Sequence, residues 1–80
     1  MLPDKYGQVR VRSTVAGELE VRAEVGQVIL PGQILAIVEG DQEIESLSVR
    51  KTSKVVEVLA VDGSEIGAGV TLMVVEEVED

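Results

Sequence analysis

A ten-residue pattern occurs twice in this chain, and it restricts the fold more than any other feature. Gly26, Ile29, Gly32 and Leu35 follow G-x-x-I-x-x-G-x-x-L, and Gly63, Ile66, Gly69 and Leu72 repeat it 37 residues later. Each copy runs into an apolar stretch that ends at Glu39 or Glu76, and each follows an alternating stretch, Leu19–Val25 or Val56–Asp62. The first Gly of a copy makes a turn out of one strand, where a positive φ is cheap only for glycine. The Ile drops one apolar side chain into a core. The second Gly makes the next turn, helped in the first copy by Pro31, and a buried strand begins. One copy is too short to bury its own apolar face. Two copies related by a pseudo-two-fold axis can close on each other.

The rest of the chain supports strands. Eighty residues make one domain with a thin core. The apolar content is almost wholly Val, Ile, Leu and Ala, with Tyr6 the lone aromatic residue, and β-branched side chains suit a pleated surface. Val9 and Val11 alternate with Arg10 and Arg12. Leu19, Val21, Ala23 and Val25 alternate with Glu18, Glu20, Arg22 and Glu24. These stretches predict half-buried strands. Ile34–Val38 is continuously apolar and predicts a strand covered on both faces; Glu43–Val49, Val55–Val61 and Val70–Val75 complete the set. The expectation is an all-β fold in which the two copies form a closed sandwich. Its expected core is Leu19, Val21, Ile29, Ile34, Leu35, Ile37, Val56, Val58, Ile66, Leu72 and Val74. Residues 1–7 are expected to form a loose lead-in, 8–76 the domain and 77–80 an acidic tail.

Several chemistries are excluded. With no Cys and no His, the chain has no disulfide, thiolate zinc site, Cys nucleophile or imidazole base. No apolar run approaches the length of a membrane helix, and the N-terminus lacks a signal-peptide core, so a soluble cytoplasmic protein is expected. A formal net charge of −8 disfavours nucleic acid and anionic membranes as partners.

The two-copy pattern, over roughly residues 8–76, resembles the biotinyl/lipoyl attachment domain family, which implies a barrel-sandwich hybrid, a flattened barrel or sandwich of two four-stranded sheets. Val11-Arg12-Ser13-Thr14-Val15-Ala16-Gly17 is similar to the opening strand and turn of biotinyl domains. Ser53-Lys54-Val55-Val56-Glu57-Val58 resembles the start of the second half, with Ser53 where the family usually has Gly. The interval from Gly17 to Gly26 is one residue shorter than the family norm. Val38-Glu39-Gly40-Asp41-Gln42-Glu43 is most similar to the attachment hairpin of lipoyl domains, V-E-G-D-K-A or E-T-D-K-A, in the acyltransferase subunits of 2-oxo-acid dehydrogenase complexes. It is less similar to the biotinyl E-A-M-K-M. Family members carry one lysine at this tip, to which a ligase attaches the cofactor through an amide.

Gln42 stands at that position, flanked by Glu39, Gly40, Asp41 and Glu43. A glutamine offers no amine, so the resemblance implies a carrier fold with no attached cofactor. Lys5, Lys51 and Lys54 lie outside the hairpin. Two origins fit: a natural paralogue that kept the fold and lost the swinging arm, or a Lys→Gln substitution made in the laboratory to block modification. Glu43, in place of a small residue, favours the first.

The remaining acidic residues do not form a known site. Glu39, Asp41, Glu43 and Glu45 place four carboxylates in seven residues, but a hairpin spreads them to two faces and the EF-hand spacing is absent. A solvated acidic tip, or a docking surface for basic residues, is the expectation. The chain is therefore read as a non-enzymatic, unmodified binding or scaffold module. The alternative is a lipoyl or biotin carrier of a multienzyme complex whose lysine has been lost. The expected state is a monomer. Its expected partner is a protein, with subunits of a dehydrogenase or carboxylase complex the leading class. A third reading, an adaptor of the membrane-fusion type, would require long flanking helices and an anchor.

Overall fold

A computed structural model describes residues 7–78. They form eight strands: β1 (Gln8–Arg12), β2 (Gly17–Val21), β3 (Val28–Ile29), β4 (Ile34–Glu39), β5 (Ile44–Ser48), β6 (Ser53–Val58), β7 (Glu65–Ile66) and β8 (Thr71–Glu77). The strands build two antiparallel four-stranded sheets, one in the order β1-β8-β6-β3 and the other β5-β4-β2-β7. This is the barrel-sandwich hybrid that the repeat implied. Among the described residues no helix is long and apolar enough to cross a membrane.

The repeat is the symmetry of the molecule. Exchanging β1 with β5, β2 with β6, β3 with β7 and β4 with β8 converts one sheet order into the other. The turn hydrogen bonds repeat with it. Arg22 N–H donates to Leu35 O and Leu59 N–H to Leu72 O, both at 2.8 Å; Gln27 N–H donates to Glu24 O at 3.0 Å and Ser64 N–H to Val61 O at 3.1 Å. Gly26 and Gly63 sit at φ +91 and +86 in equivalent turns. There only glycine avoids the steric cost of left-handed backbone.

Three bulges correct the expected core. Leu35 is the extra residue where β4 meets β5, Leu72 where β8 meets β1, and Val56 where β6 meets β8. Each bulge shifts the in–out alternation by one residue. Leu35 and Ala36 are therefore both buried, as are Leu72 and Met73, and the inward positions beyond them are Val38 and Val75. Ile34, expected inside, is 37% exposed at the strand entrance. Ile37, Val56 and Val74 are only half-buried, and Val55 takes the core place assigned to Val56. Val21, Val58 and Ile66 pack against the core from its margin. Val11, Val15 and Ala23 also belong to the core.

The strands expected at Leu19–Val25 and Val55–Val61 both stop early, at Val21 and Val58. After these points the chain leaves the sheet to approach the glycine turns, and Val25 and Val61 are exposed. The Gly17–Gly26 interval is also one residue shorter than its counterpart from Ser53 to Gly63. β6 carries the Val56 bulge before its glycine turn, whereas β2 pairs with β4 without a register shift.

Most of the expected lead-in, and Glu79 and Asp80 of the expected acidic tail, lie outside the described residues. Gly7, at φ +77, accepts the Glu77 N–H at 2.9 Å, and β8 continues through Glu77.

Candidate functional site

The β4–β5 hairpin carries the residues singled out from the sequence. Glu39 pairs with Ile44, and Gly40 N–H donates to Glu43 O at 2.8 Å. Asp41 and Gln42 are left as a two-residue tip. Neither has a positive φ, so the turn needs no glycine there. Asp41, Gln42 and Glu43 are all exposed.

Two contacts anchor the base of the hairpin. The first is a close approach of backbones. A Cβ on Gly17 would lie 2.1 Å from Glu39 O, and one on Gly40 would lie 2.8 Å from Ala16 O and 2.9 Å from Val15 Cγ1. Only glycines let the hairpin root settle on the β1–β2 connection. The second footing is Glu45. Its Oε1 lies 2.7 Å from Ser13 Oγ and 2.8 Å from Thr14 N, and Thr14 Oγ1 is 3.3 Å away. Ser13 is buried, and its Oγ also accepts the Val15 N–H at 2.9 Å. The Ser13 hydroxyl, then the Thr14 amide, holds the Glu45 carboxyl below its ordinary pKa against an opposing push from partial burial. The four carboxylates counted in the sequence therefore divide: Glu45 is a structural anchor, while Glu39, Asp41 and Glu43 face solvent. Among the described residues no group of acids is placed to hold a metal ion.

Sequence spacing did not reveal the rest of the site. Glu18 on β2 lies directly opposite Glu39 on β4 and directly opposite Glu65 on β7. Cross-strand partners share a face, so Glu65, Glu18 and Glu39 form a row of exposed carboxylates across one sheet. With Asp41 they line a shallow depression of about 550 Å³ at the foot of the hairpin. Like charges placed directly opposite one another destabilise a sheet. The partners lie 21 and 47 residues from Glu18, and only strand order brings them together.

The tip also has a defined place in the molecule. β1 starts at the Gln8–Glu76 pair, where Gly7 and Glu77 meet, and runs toward Ser13–Ala16, on which the hairpin stands. The tip and the two ends of the described chain thus occupy opposite ends of a body 40 × 26 × 18 Å across.

No protein-family model and no curated sequence matches the chain. Solved structures do. A single-chain, multi-domain long-chain acyl-CoA carboxylase superposes with a TM-score of 0.83 at 22% identity, over 100% of this chain and 8% of that one. Kluyveromyces lactis urea carboxylase superposes with a TM-score of 0.75 at 24% identity, over 94% of this chain and 6% of that one. At such identities the shared property is the fold. The chain has the biotinyl/lipoyl-like barrel-sandwich fold of a segment that makes up less than a tenth of each of these two carboxylases.

Proposed function

We propose that this chain is a carrier-fold domain without the modifiable lysine, acting as an unmodified protein-binding module. The observation that carries the reading is Gln42 at the exposed tip of a rigidly footed two-residue turn. In the resembling family, a lysine at this point receives the cofactor. A carboxamide cannot be acylated there, so Gln42 and the hairpin residues Glu39, Gly40, Asp41 and Glu43 are left as a contact surface.

The row Glu65–Glu18–Glu39 supports the binding part of the reading. Its mutual repulsion costs stability in the free chain and is relieved when a basic surface covers it. The partner is then a protein with Lys or Arg around a recess that fits the hairpin. The two solved structures compared above are carboxylases, which favours carboxylase subunits over dehydrogenase subunits. The hairpin residues themselves remain most similar to the lipoyl form. The alternative, a lipoyl or biotin carrier whose lysine has been lost, shares this geometry and differs only in history.

The binding reading is tested by titrating the isotope-labelled chain with carboxylase or dehydrogenase subunits encoded beside it. Amide shifts at residues 39–44, Glu18 and Glu65, weakened by Glu18→Lys, are expected. Unperturbed hairpin amides with every such subunit would reject the reading.

A further inference from the structure

The cations of this acidic chain are segregated. Arg10, Arg12, Arg50 and Lys51, four of its seven Lys and Arg residues, line one groove of about 350 Å³ between β1 and β5. Glu77 is the single acid in that lining. Among the described residues the one ion pair is Arg22–Glu20, at 2.9 Å and elsewhere on the surface. Fifteen acids are available in the sequence, yet none of the described ones pairs with the groove cations. The groove floor is apolar, formed by Val9, Val11, Leu47, Val49 and Val75. β1 and β5 are the outer strands of their sheets, so each presents an unpaired backbone edge beside the groove.

Pseudo-symmetry relates this groove to a place that holds a carboxylate through other donors. β1 begins at Gln8 and β5 at Ile44, so Glu45 and Val9 are equivalent, as are Ser13 and Val49, and Thr14 and Arg50. On one side of the axis the strand-borne Glu45 carboxylate fills the place, bonded to Ser13 and to the Thr14 amide. On the other side Val9 replaces that carboxylate, and cations surround the opening. One half of the molecule supplies its own carboxylate; the other supplies the charges to receive one.

We propose that the β1–β5 groove binds an extended acidic peptide segment of a partner protein, one that alternates carboxylate and apolar side chains. The segment lies along a free strand edge and hydrogen-bonds to it as an added strand. Its apolar side chains meet the Val and Leu floor, and its carboxylates meet Arg10, Arg12, Arg50 and Lys51. Guanidinium groups suit this pairing through bidentate hydrogen bonds. The net charge of −8 opposes a polyanion in general. It therefore favours a short segment that is shielded from the acidic face at the hairpin foot.

The proposal is tested on the isotope-labelled chain with a synthetic peptide of alternating Glu and Val, an alternating Lys–Val peptide, and vesicles containing phosphatidylglycerol. Saturable amide shifts confined to residues 9–12 and 47–51 are expected with the Glu–Val peptide only. Charge reversal by Arg10→Glu with Arg50→Glu should weaken binding roughly tenfold or more, whereas Arg22→Glu should leave it unchanged. If the reversed pair fails to fold, Arg10→Gln with Arg50→Gln gives the same reading through a smaller loss. Absence of shifts with the Glu–Val peptide overturns the proposal. So do shifts centred on residues 39–44, affinity indifferent to the groove variants, or groove perturbation by vesicles without perturbation by peptide. Because the hairpin and groove amides are separate, this result is independent of hairpin binding.

Discussion

Single atoms decide how rigidly the hairpin stands. A methyl group on Gly17 would collide with the Glu39 carbonyl, whereas one on Gly67 would meet nothing nearer than Val70 Cγ2 at 3.8 Å. Gly17→Ala should therefore destabilise the chain by about 2 kcal/mol or more in urea melts, because backbone rather than a flexible side chain must move. Gly67→Ala should lie within about 1 kcal/mol of the parent. Equal midpoints would contradict the close approach. Glu45 gives a second residue-scale test. Its carboxyl titrates lower in the fold than in the unfolded chain. Its contribution is thus full above the unfolded-state pKa and lost as pH falls through the folded value. The informative quantity is the difference between the parent and a variant at this one position. The stability gap between the parent and Glu45→Gln should be widest near neutrality and shrink below about pH 4. A constant gap would show that the Ser13–Thr14 anchor does not depend on charge.

At the scale of strands, the acidic row is a cost and the bulges are a constraint. Glu18→Gln removes both like-charge pairings at once and should stabilise the chain by roughly 0.5 kcal/mol, more at low salt. Unchanged or lowered urea midpoints would show that the row is screened or otherwise compensated. The β4 bulge separates two neighbours of similar size. Leu35 is fully buried and Ile34 is 37% exposed, so Leu35→Ala should cost about 2–5 kcal/mol and Ile34→Ala about 1 kcal/mol or less. Reversed costs would mean that the register is wrong. These bulges mark where the sequence was not legible. Alternation identifies a strand, but it contains no sign of an inserted residue, so the inward set slips at Ile34, Val56 and Val74. The two-residue strands β3 and β7 are too short to show any period and were read only as single inward Ile residues. By contrast, the glycine turns and the hairpin were legible, because left-handed backbone and an exposed tip leave identifiable residues in place.

For the molecule as a whole, two copies of one pattern generate two sheets that exchange under the pseudo-two-fold. The departures from that symmetry are where function is read. One hairpin tip stands opposite the place where Gly7 meets Glu77, and the place filled by the Glu45 carboxylate in one half is taken by Val9, beside a cation-lined groove, in the other. Gln42 was legible from the hairpin pattern. Glu18 and Glu65 were not, since only strand order brings them to Glu39. If the tip keeps carrier geometry, as proposed above, the amine missing at Gln42 separates this chain from a carrier. Intact-mass measurement tests it most directly, on the native chain and on Gln42→Lys, each co-expressed with lipoate and biotin ligases and fed both cofactors. The native chain should keep its unmodified mass and Gln42→Lys should gain a lipoyl adduct, with less biotin because no Met flanks the site. A cofactor adduct on the native chain would contradict it.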